Sequence, residues 1–251
     1  MHTLEEVQEV LKEYTNNGLF VFKKCRDSIV VLKKLEDTIT NESRSNVVDK
    51  NYAKFRGNKF YVERIINLKT LEEMKEDTNC IQSRKIITYV SGTIIEEPEF
   101  EYKLDEACAK GIHYFLTLEP AYYFMNIRPA NGKYKVWHGN GQKIQECNYK
   151  NGSLDGKCEE WYDNGQKHKE YNYKEGKLDG KYEEWYDNGQ KKIENHTDGK
   201  CEEWYKNGQK KVEFNCKNGK VDGIYKLWNW GEQIAIEIYF KDGKLDGKNE
   251  A

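Results

Sequence analysis

"GKYEEWYDNGQKKIENHTDGKCEEWYKNGQ", residues Gly180–Gln209, states one phrase twice. Gly-Lys-x-Glu-Glu-Trp-Tyr opens at Gly180 and again at Gly199, and each copy runs on through Asn-Gly-Gln. Working outward, the phrase recurs in looser form at Gly132, Gly156 and Gly223, and a stub begins at Gly247. Trp holds the sixth position of every unit, at 137, 161, 185, 204 and 228. Units return after 24 residues, except that Gly199 follows Gly180 by only 19. Self-similarity at such a period marks a repeat array, in which each unit buries its side chains only against its neighbours.

The segments after each Asn-Gly alternate apolar with polar, as in Val212, Phe214 and Cys216 around Glu213, and Ile236, Ile238 and Phe240 around Glu237. Period two means strand. Asn140-Gly141, Asn164-Gly165, Asn188-Gly189 and Asn207-Gly208 are expected to close hairpins as type I′ turns, and the Gly-Lys-Leu-Asp-Gly stretches to form longer connections between units. In the short unit the five missing residues are expected to leave a tight hairpin on Asp198-Gly199, with Trp185 and Trp204 kept on one face. Third-position residues and the Trp differ by an odd offset, so both faces of a single-layer sheet carry aromatics.

Composition changes near residue 130. All six Trp lie after it, whereas all six Arg and all three Pro lie before it. We read residues 1–129 as one domain and 130–251 as the repeats, an α+β domain followed by an all-β, elongated, single-layer antiparallel hairpin array. In the first half, residues 3–16 are expected to form a helix with a Thr3/Glu6 capping box. Strands follow at 19–24, 28–35, 59–66, 85–95 and 111–117, and a short helix starts after Thr117.

The repeats resemble the variant form of the MORN (membrane occupation and recognition nexus) repeat, on "GKYEEWYDNGQK" and its copies over residues 132–251. That resemblance implies β-hairpin arrays that serve as scaffolds or interaction surfaces, with some bacterial relatives named as antitoxins. "KKCRDSIVVL" (23–32) and "CAKGIHYFLTLEPAYYF" (108–124) resemble a giant-virus domain of unknown function that precedes such repeats, which implies a setting and no chemistry.

Only 37% of the chain is hydrophobic and 33% is charged, which suits a thin architecture better than a deep globule. The formal net charge is -2, so no global field draws nucleic acid or an anionic membrane. Residues 131–251 hold 22 Lys against 22 acidic residues and no Arg, so nucleic acid is not expected as a partner and lipid is a weak candidate. Seven Cys without a C-x-x-C pair point to reduced thiols and an intracellular place, in a host cytoplasm or a virion. There is no signal-peptide pattern and no apolar run of the roughly 20 residues a membrane span needs.

Glu159/Glu160, Glu183/Glu184 and Glu202/Glu203 recur once per unit, and adjacent strand residues point to opposite faces, so they read as strand positions rather than as a catalytic pair. The first-half alternative is an enzyme built on Cys108 and His113, with Cys25 and Arg26 nearby, which would require a thiolate within reach of the imidazole. Five scattered His and isolated Cys give no metal-ligand spacing, and no phosphate-binding or hydrolase motif occurs, so neither cofactor nor metal is expected. The candidate interaction surface is Trp137, Trp161, Trp185, Trp204, Trp228 and Trp230 with Tyr162, Tyr186 and Tyr205. It would take a protein partner or a second copy of the chain.

Overall fold

The structure is a computed structural model and describes residues 2–15, 17–79, 86–103, 105–106, 109–125 and 128–246. The stub that begins at Gly247 lies outside the described residues. The chain separates into two compact units, Met1–Asn126 with Val136–Gln142, and Ile127–Lys135 with Lys143–Ala251.

The first unit is α+β. Its strands are β1 (Phe20–Lys24), β2 (Ser28–Lys33), β3 (Lys54–Gly57), β4 (Lys59–Asn67), β5 (Glu76–Thr78), β6 (Thr88–Val90), β7 (Ile94–Glu96) and β8 (Ile112–Phe115). Six form an antiparallel sheet in the order β3-β8-β1-β2-β4-β7, while β5 pairs with β6. Helix α1 (Leu4–Val10) is shorter than its sequence pattern but keeps the capping box, with Thr3 accepting from the Glu6 amide and the Glu6 carboxylate accepting from Thr3. Helix α2 (Leu118–Tyr123) starts at Thr117, whose hydroxyl is spent on the Asn51 carbonyl rather than on its own helix. The expected strand over 85–95 is broken at Ser91-Gly92, where Gly92 takes φ +81° and sends the chain from β6 back as β7. Strand β2 is buried on both faces because α1 and α2 cover Ile29 and Val31 while Val30 and Leu32 pack with Phe55, Phe60 and Tyr89.

The Val136–Gln142 segment belongs to this unit through specific contacts. Trp137 stacks on Tyr52 at 4.9 Å and lies 6.0 Å from Tyr123. The Val48 and Asp49 amides donate to the Asn140 carbonyl, and the Lys54 amide to that of Gly139.

The second unit is one twelve-stranded antiparallel sheet of hairpins. Its strands are β9 (Gly132–Trp137), β10 (Lys143–Lys150), β11 (Ser153–Trp161), β12 (Lys167–Lys174), β13 (Lys177–Trp185), β14 (Lys191–His196), β15 (Gly199–Trp204), β16 (Lys210–Lys217), β17 (Lys220–Val221), β18 (Gly223–Trp228), β19 (Ile234–Lys241) and β20 (Lys244–Leu245). They follow one another in chain order, with β17 a two-residue strand beside β16.

The two kinds of turn are the reverse of the expectation. At Asn164-Gly165 only the glycine has positive φ, +84°. The Gly165 amide donates to the Tyr162 carbonyl and the Tyr162 amide to that of Gln166, both at 2.9 Å. This is a type I turn followed by a left-handed glycine, and the Asn side chain accepts from the Gln166 amide instead of entering the left-handed region. Asn140-Gly141, Asn188-Gly189 and Asn207-Gly208 repeat the pattern. The type I′ turns lie in the connections between units, at Asn151-Gly152, Glu175-Gly176, Asn218-Gly219 and Asp242-Gly243, where both residues have positive φ. A two-residue type I′ loop demands two left-handed residues, whereas the longer loop here needs one.

The short unit must be corrected in the same way. Asp198-Gly199 is no type I′ turn, since only Gly199 has positive φ, and Thr197-Asp198 form a bend between β14 and β15. The missing residues are the tight turn itself with the strand ends on either side. Register survives, because Glu184 faces Ile193 and Ile193 faces Glu203. Trp185 and Trp204, each one residue further along its strand, therefore share a face as expected.

Neighbouring units are clasped at these connections. The first amide of each tight turn donates to the side chain ending the preceding unit: Glu175 to Asp155 (3.2 Å), Asn218 to Asp198 (2.6 Å) and Asp242 to Asp222 (3.4 Å). The glycine amide then donates to the carbonyl just before that Asp, Gly176 to Leu154 and Gly219 to Thr197. In this way exposed turn amides find partners without any core beneath them.

Candidate interaction surface

The sheet has two chemically different sides, and register assigns every residue to one of them. Across seven strands β10 to β16, Glu146, Glu159, Glu170, Glu183, Glu194, Glu202 and Glu213 stand directly opposite one another in a single row. Like charges so placed repel. Lysines on the same side offset this, each bridging two carboxylates. Lys157 lies 2.9 Å from Glu159 and 3.2 Å from Glu170. Lys181 serves Glu183 and Glu194, and Lys200 serves Glu202 and Glu213. Lys167, Lys191 and Lys210 close the row from its other flank. Hydrogen bonding from Lys191, and then from Lys181 and His196, holds the Glu194 carboxyl down at about 2. Trp161, Trp185 and Trp228 share this side, half-buried, with Lys143, Lys167 and Lys210 over their rings at 5.1–5.7 Å.

The opposite side is apolar at its margins and changes character along its middle row. That row reads Gln145, Glu160, Lys169, Glu184, Ile193, Glu203, Val212, Leu227, Ile236. Its carboxylates are satisfied by neighbours. Tyr171 donates to Glu160 (2.6 Å), Tyr182 to Glu184 (2.8 Å) and Lys192 to Glu184 (2.6 Å), while Lys211 lies 3.3 Å from Glu203. Glu184 is only 7% exposed, and burial pushes its carboxyl upward, but the Lys192 and Tyr182 hydrogen bonds outweigh burial and leave it below the ordinary value. A carboxyl held ionised cannot serve as a general acid. Burial drives the Tyr171 and Tyr182 hydroxyls well above their usual range, so they stay donors.

Beside the middle row runs an aromatic one, in which Tyr171 stacks on Tyr182 (5.9 Å) and Phe214 on Tyr225 (5.6 Å). Cys147 and Cys158 begin it, directly opposite each other, with their sulfurs side by side. The register shift between Cys147 and Tyr149 brings the two cysteines level, and spacing alone does not show it.

The expected surface residues divide by role. Trp137 belongs to the first unit. Tyr162, Tyr186 and Tyr205 donate to the carbonyls of Trp185, Trp204 and Trp228 in the following units, at 2.8, 2.9 and 3.1 Å, so their hydroxyls are spent on joining repeats. Trp230 is 67% exposed and stacks on Tyr205 at 4.5 Å. Sequence reasoning saw Phe214, Ile236 and Ile238 as strand residues but not as a surface, since only register shows that they share a side with Tyr225 and Leu227.

In the first unit, His113 on β8 stands opposite Arg56, and Cys25 is fully buried. Cys108 lies outside the described residues. Arg56, missed in the sequence, is fully buried and donates to the carbonyls of Glu101, Lys103, Glu106 and Lys110, which gathers that loop around one guanidinium. Among the described residues no cluster of three or more His, Cys, Asp or Glu could hold a metal, and no helix is long and apolar enough to cross a membrane.

Comparison with known families matches residues 11–121 to a family of unknown function (DUF5758). The MORN repeat variant matches residues 130–151, 154–175, 178–198 and 197–218. MORN repeats are generally protein- or membrane-interaction repeats. No curated protein matches the chain.

Proposed function

We propose that this chain, which carries MORN-variant repeats behind a DUF5758 domain, is a non-enzymatic intracellular scaffold that binds protein through the apolar side of its repeat sheet. The observation that carries the reading is the asymmetry of the sheet. On one side each carboxylate of the long row is already matched by lysines of the same chain, leaving little unsatisfied charge to recruit a partner. On the other, Phe214, Tyr225, Leu227 and Ile236 line up across β16, β18 and β19 with no layer over them among the described residues of the second unit. A contiguous apolar surface of this kind marks association.

The test is capture of protein from the native source by the full chain, comparing Tyr225→Lys with Lys226→Ala. These adjacent residues of β18 point to opposite sides. The reading expects Tyr225→Lys to lose the captured protein and Lys226→Ala to keep it. Capture lost only with Lys226→Ala would move the site to the charged side, and no capture by the unaltered chain would remove the proposal.

A further inference from the structure

Residues 131–251 hold four cysteines, at 147, 158, 201 and 216, and strand register gathers them into two cross-strand pairs on the apolar side of the sheet. Cys147 faces Cys158 across β10 and β11, with Cα atoms 4.1 Å apart. Cys201 and Cys216 lie on a diagonal of β15 and β16, since Cys201 faces Phe214 and Cys216 faces Gly199. The repeat needs no thiol in this row, which continues from Cys158 as Tyr171 and Tyr182 and further on as Phe214 and Tyr225. Two cysteines therefore meet where other units set large side chains. Each is only 1% exposed, packed with Tyr134, Tyr149, Leu154 and Tyr171. A disulfide requires Cα atoms closer than about 7 Å and Cβ atoms that do not point apart, and strand residues directly opposite each other meet both conditions. The Gln145 side chain also directs an N–H at Cys158 Sγ from 4.0 Å, a donor that favours thiolate over thiol.

We propose that Cys147 and Cys158 are a peroxide-sensitive pair, which closes into a disulfide and staples the first repeat to the second. The Cys158 thiolate attacks one peroxide oxygen and the O–O bond breaks, leaving Cys158 as a sulfenic acid. The departing hydroxide takes up the proton that the Cys158 thiol gave up and leaves as water. The Cys147 sulfur then attacks the Cys158 sulfur: the S–S bond forms, the S–O bond breaks, and the hydroxyl leaves with the Cys147 proton as a second water. Two electrons pass from the two sulfurs to one peroxide. Burial slows the first step, but it holds the resolving thiol in contact for the second. The other pair is set differently. The Cys201 thiol accepts from the His196 amide at 3.3 Å and donates to the His196 carbonyl at 3.5 Å. Burial, and then the hydrogen bond with Cys201, pushes the Cys216 thiol up to about 12, so this pair stays reduced. A repeat array stands on the contacts between neighbouring units, and a bond from β10 to β11 strengthens the first of those joints.

The experiment takes the full chain, reduced with dithiothreitol and then freed of it, through hydrogen peroxide, alkylation in denaturant and peptide mapping by mass spectrometry without reduction. It compares the unaltered protein with Cys147→Ala and Cys201→Ala. A peptide joining Cys147 to Cys158 is expected in the unaltered protein and in Cys201→Ala. The bond should raise the melting of the repeats by roughly 6–12 °C, and dithiothreitol should reverse the rise. In Cys147→Ala no resolving thiol is left, so Cys158 should stop as sulfenic acid or pass to sulfinic acid, with no rise in melting. Cys147 and Cys158 both still alkylated after peroxide would overturn the proposal. So would a bond formed elsewhere in place of this one, or a bond here that left the melting unchanged.

Discussion

Replacing Gly141 and Gly152 by alanine, one at a time, separates two costs that a turn glycine can carry. Gly152 sits in a tight turn at φ +77° with nothing within 4 Å of the point where a Cβ would stand, so Gly152→Ala incurs only the left-handed conformation, about 1 kcal/mol. Gly141 has a similar φ, +91°, but a Cβ there would lie 2.1 Å from the Asp49 carbonyl oxygen and 3.0 Å from the Ala53 nitrogen. Both are main-chain atoms, so the 49–53 loop must move. Three main-chain bonds depend on that fit: Val48 to Asn140 at 2.9 Å, Asp49 to Asn140 at 3.3 Å and Lys54 to Gly139 at 3.0 Å. At about 1 kcal/mol each, their loss brings Gly141→Ala to about 4 kcal/mol. At roughly 2–4 °C per kcal/mol, Gly141→Ala should lower the melting of the first unit by roughly 8–16 °C, whereas Gly152→Ala should lower that of the second by only roughly 2–4 °C, both read by circular dichroism. Amide exchange at Val48, Asp49 and Lys54 should quicken only in Gly141→Ala. Equal melting shifts for the two variants would refute the view that residues 136–142 are part of the first unit's packing.

Two further outcomes follow from local chemistry. In the fifth repeat Gly231-Glu232 replaces Asn-Gly, which leaves Glu232 at φ +60°, so Glu232→Gly should stabilise the protein by about 1 kcal/mol in denaturant titration; a neutral or destabilising result would contradict it. Glu159, Glu183, Glu194 and Glu213 have folded values below their unfolded ones, so their contribution is present above the unfolded carboxylate value of about 4.3 and is lost as pH falls through the folded values, down to about 2 for Glu194. Melting of the repeats should therefore fall steadily between about pH 5 and pH 2, and a flat profile there would show that the lysine bridges contribute nothing.

The repeat itself was legible because a Trp at the sixth position of every unit and alternation after the Asn-Gly turns are strong one-dimensional signals. The turn types were not, because the dipeptide alone does not reveal the loop it closes. Asn164-Gly165 and Asn151-Gly152 read identically, yet the first ends a longer loop held by Tyr162 and Gln166 and the second is the whole loop. The charged row was invisible for a related reason. Glu183 and Glu194 are eleven residues apart in the chain and neighbours only through the register of β13 and β14. In the first unit, α1 and its cap could be read from apolar spacing, whereas the burial of Arg56 could not, since its partners are main-chain carbonyls that any residue supplies.

The clasp between units has a consequence for how such a chain can change over generations. Three of the tight turns lean on an Asp and a carbonyl at the end of the unit before, and Asn151-Gly152 leans in the same way on Asn131 and Ala130. A duplication or deletion bounded by successive Asp-Gly pairs therefore brings both halves of every clasp with it. The 19-residue unit shows the tolerance: it lost its own tight turn, but Thr197 and Asp198 still receive Gly219 and Asn218 of the next. The length of the array is thus open to drift without repair at distant sites, while a change at one Asp is felt by a single neighbour.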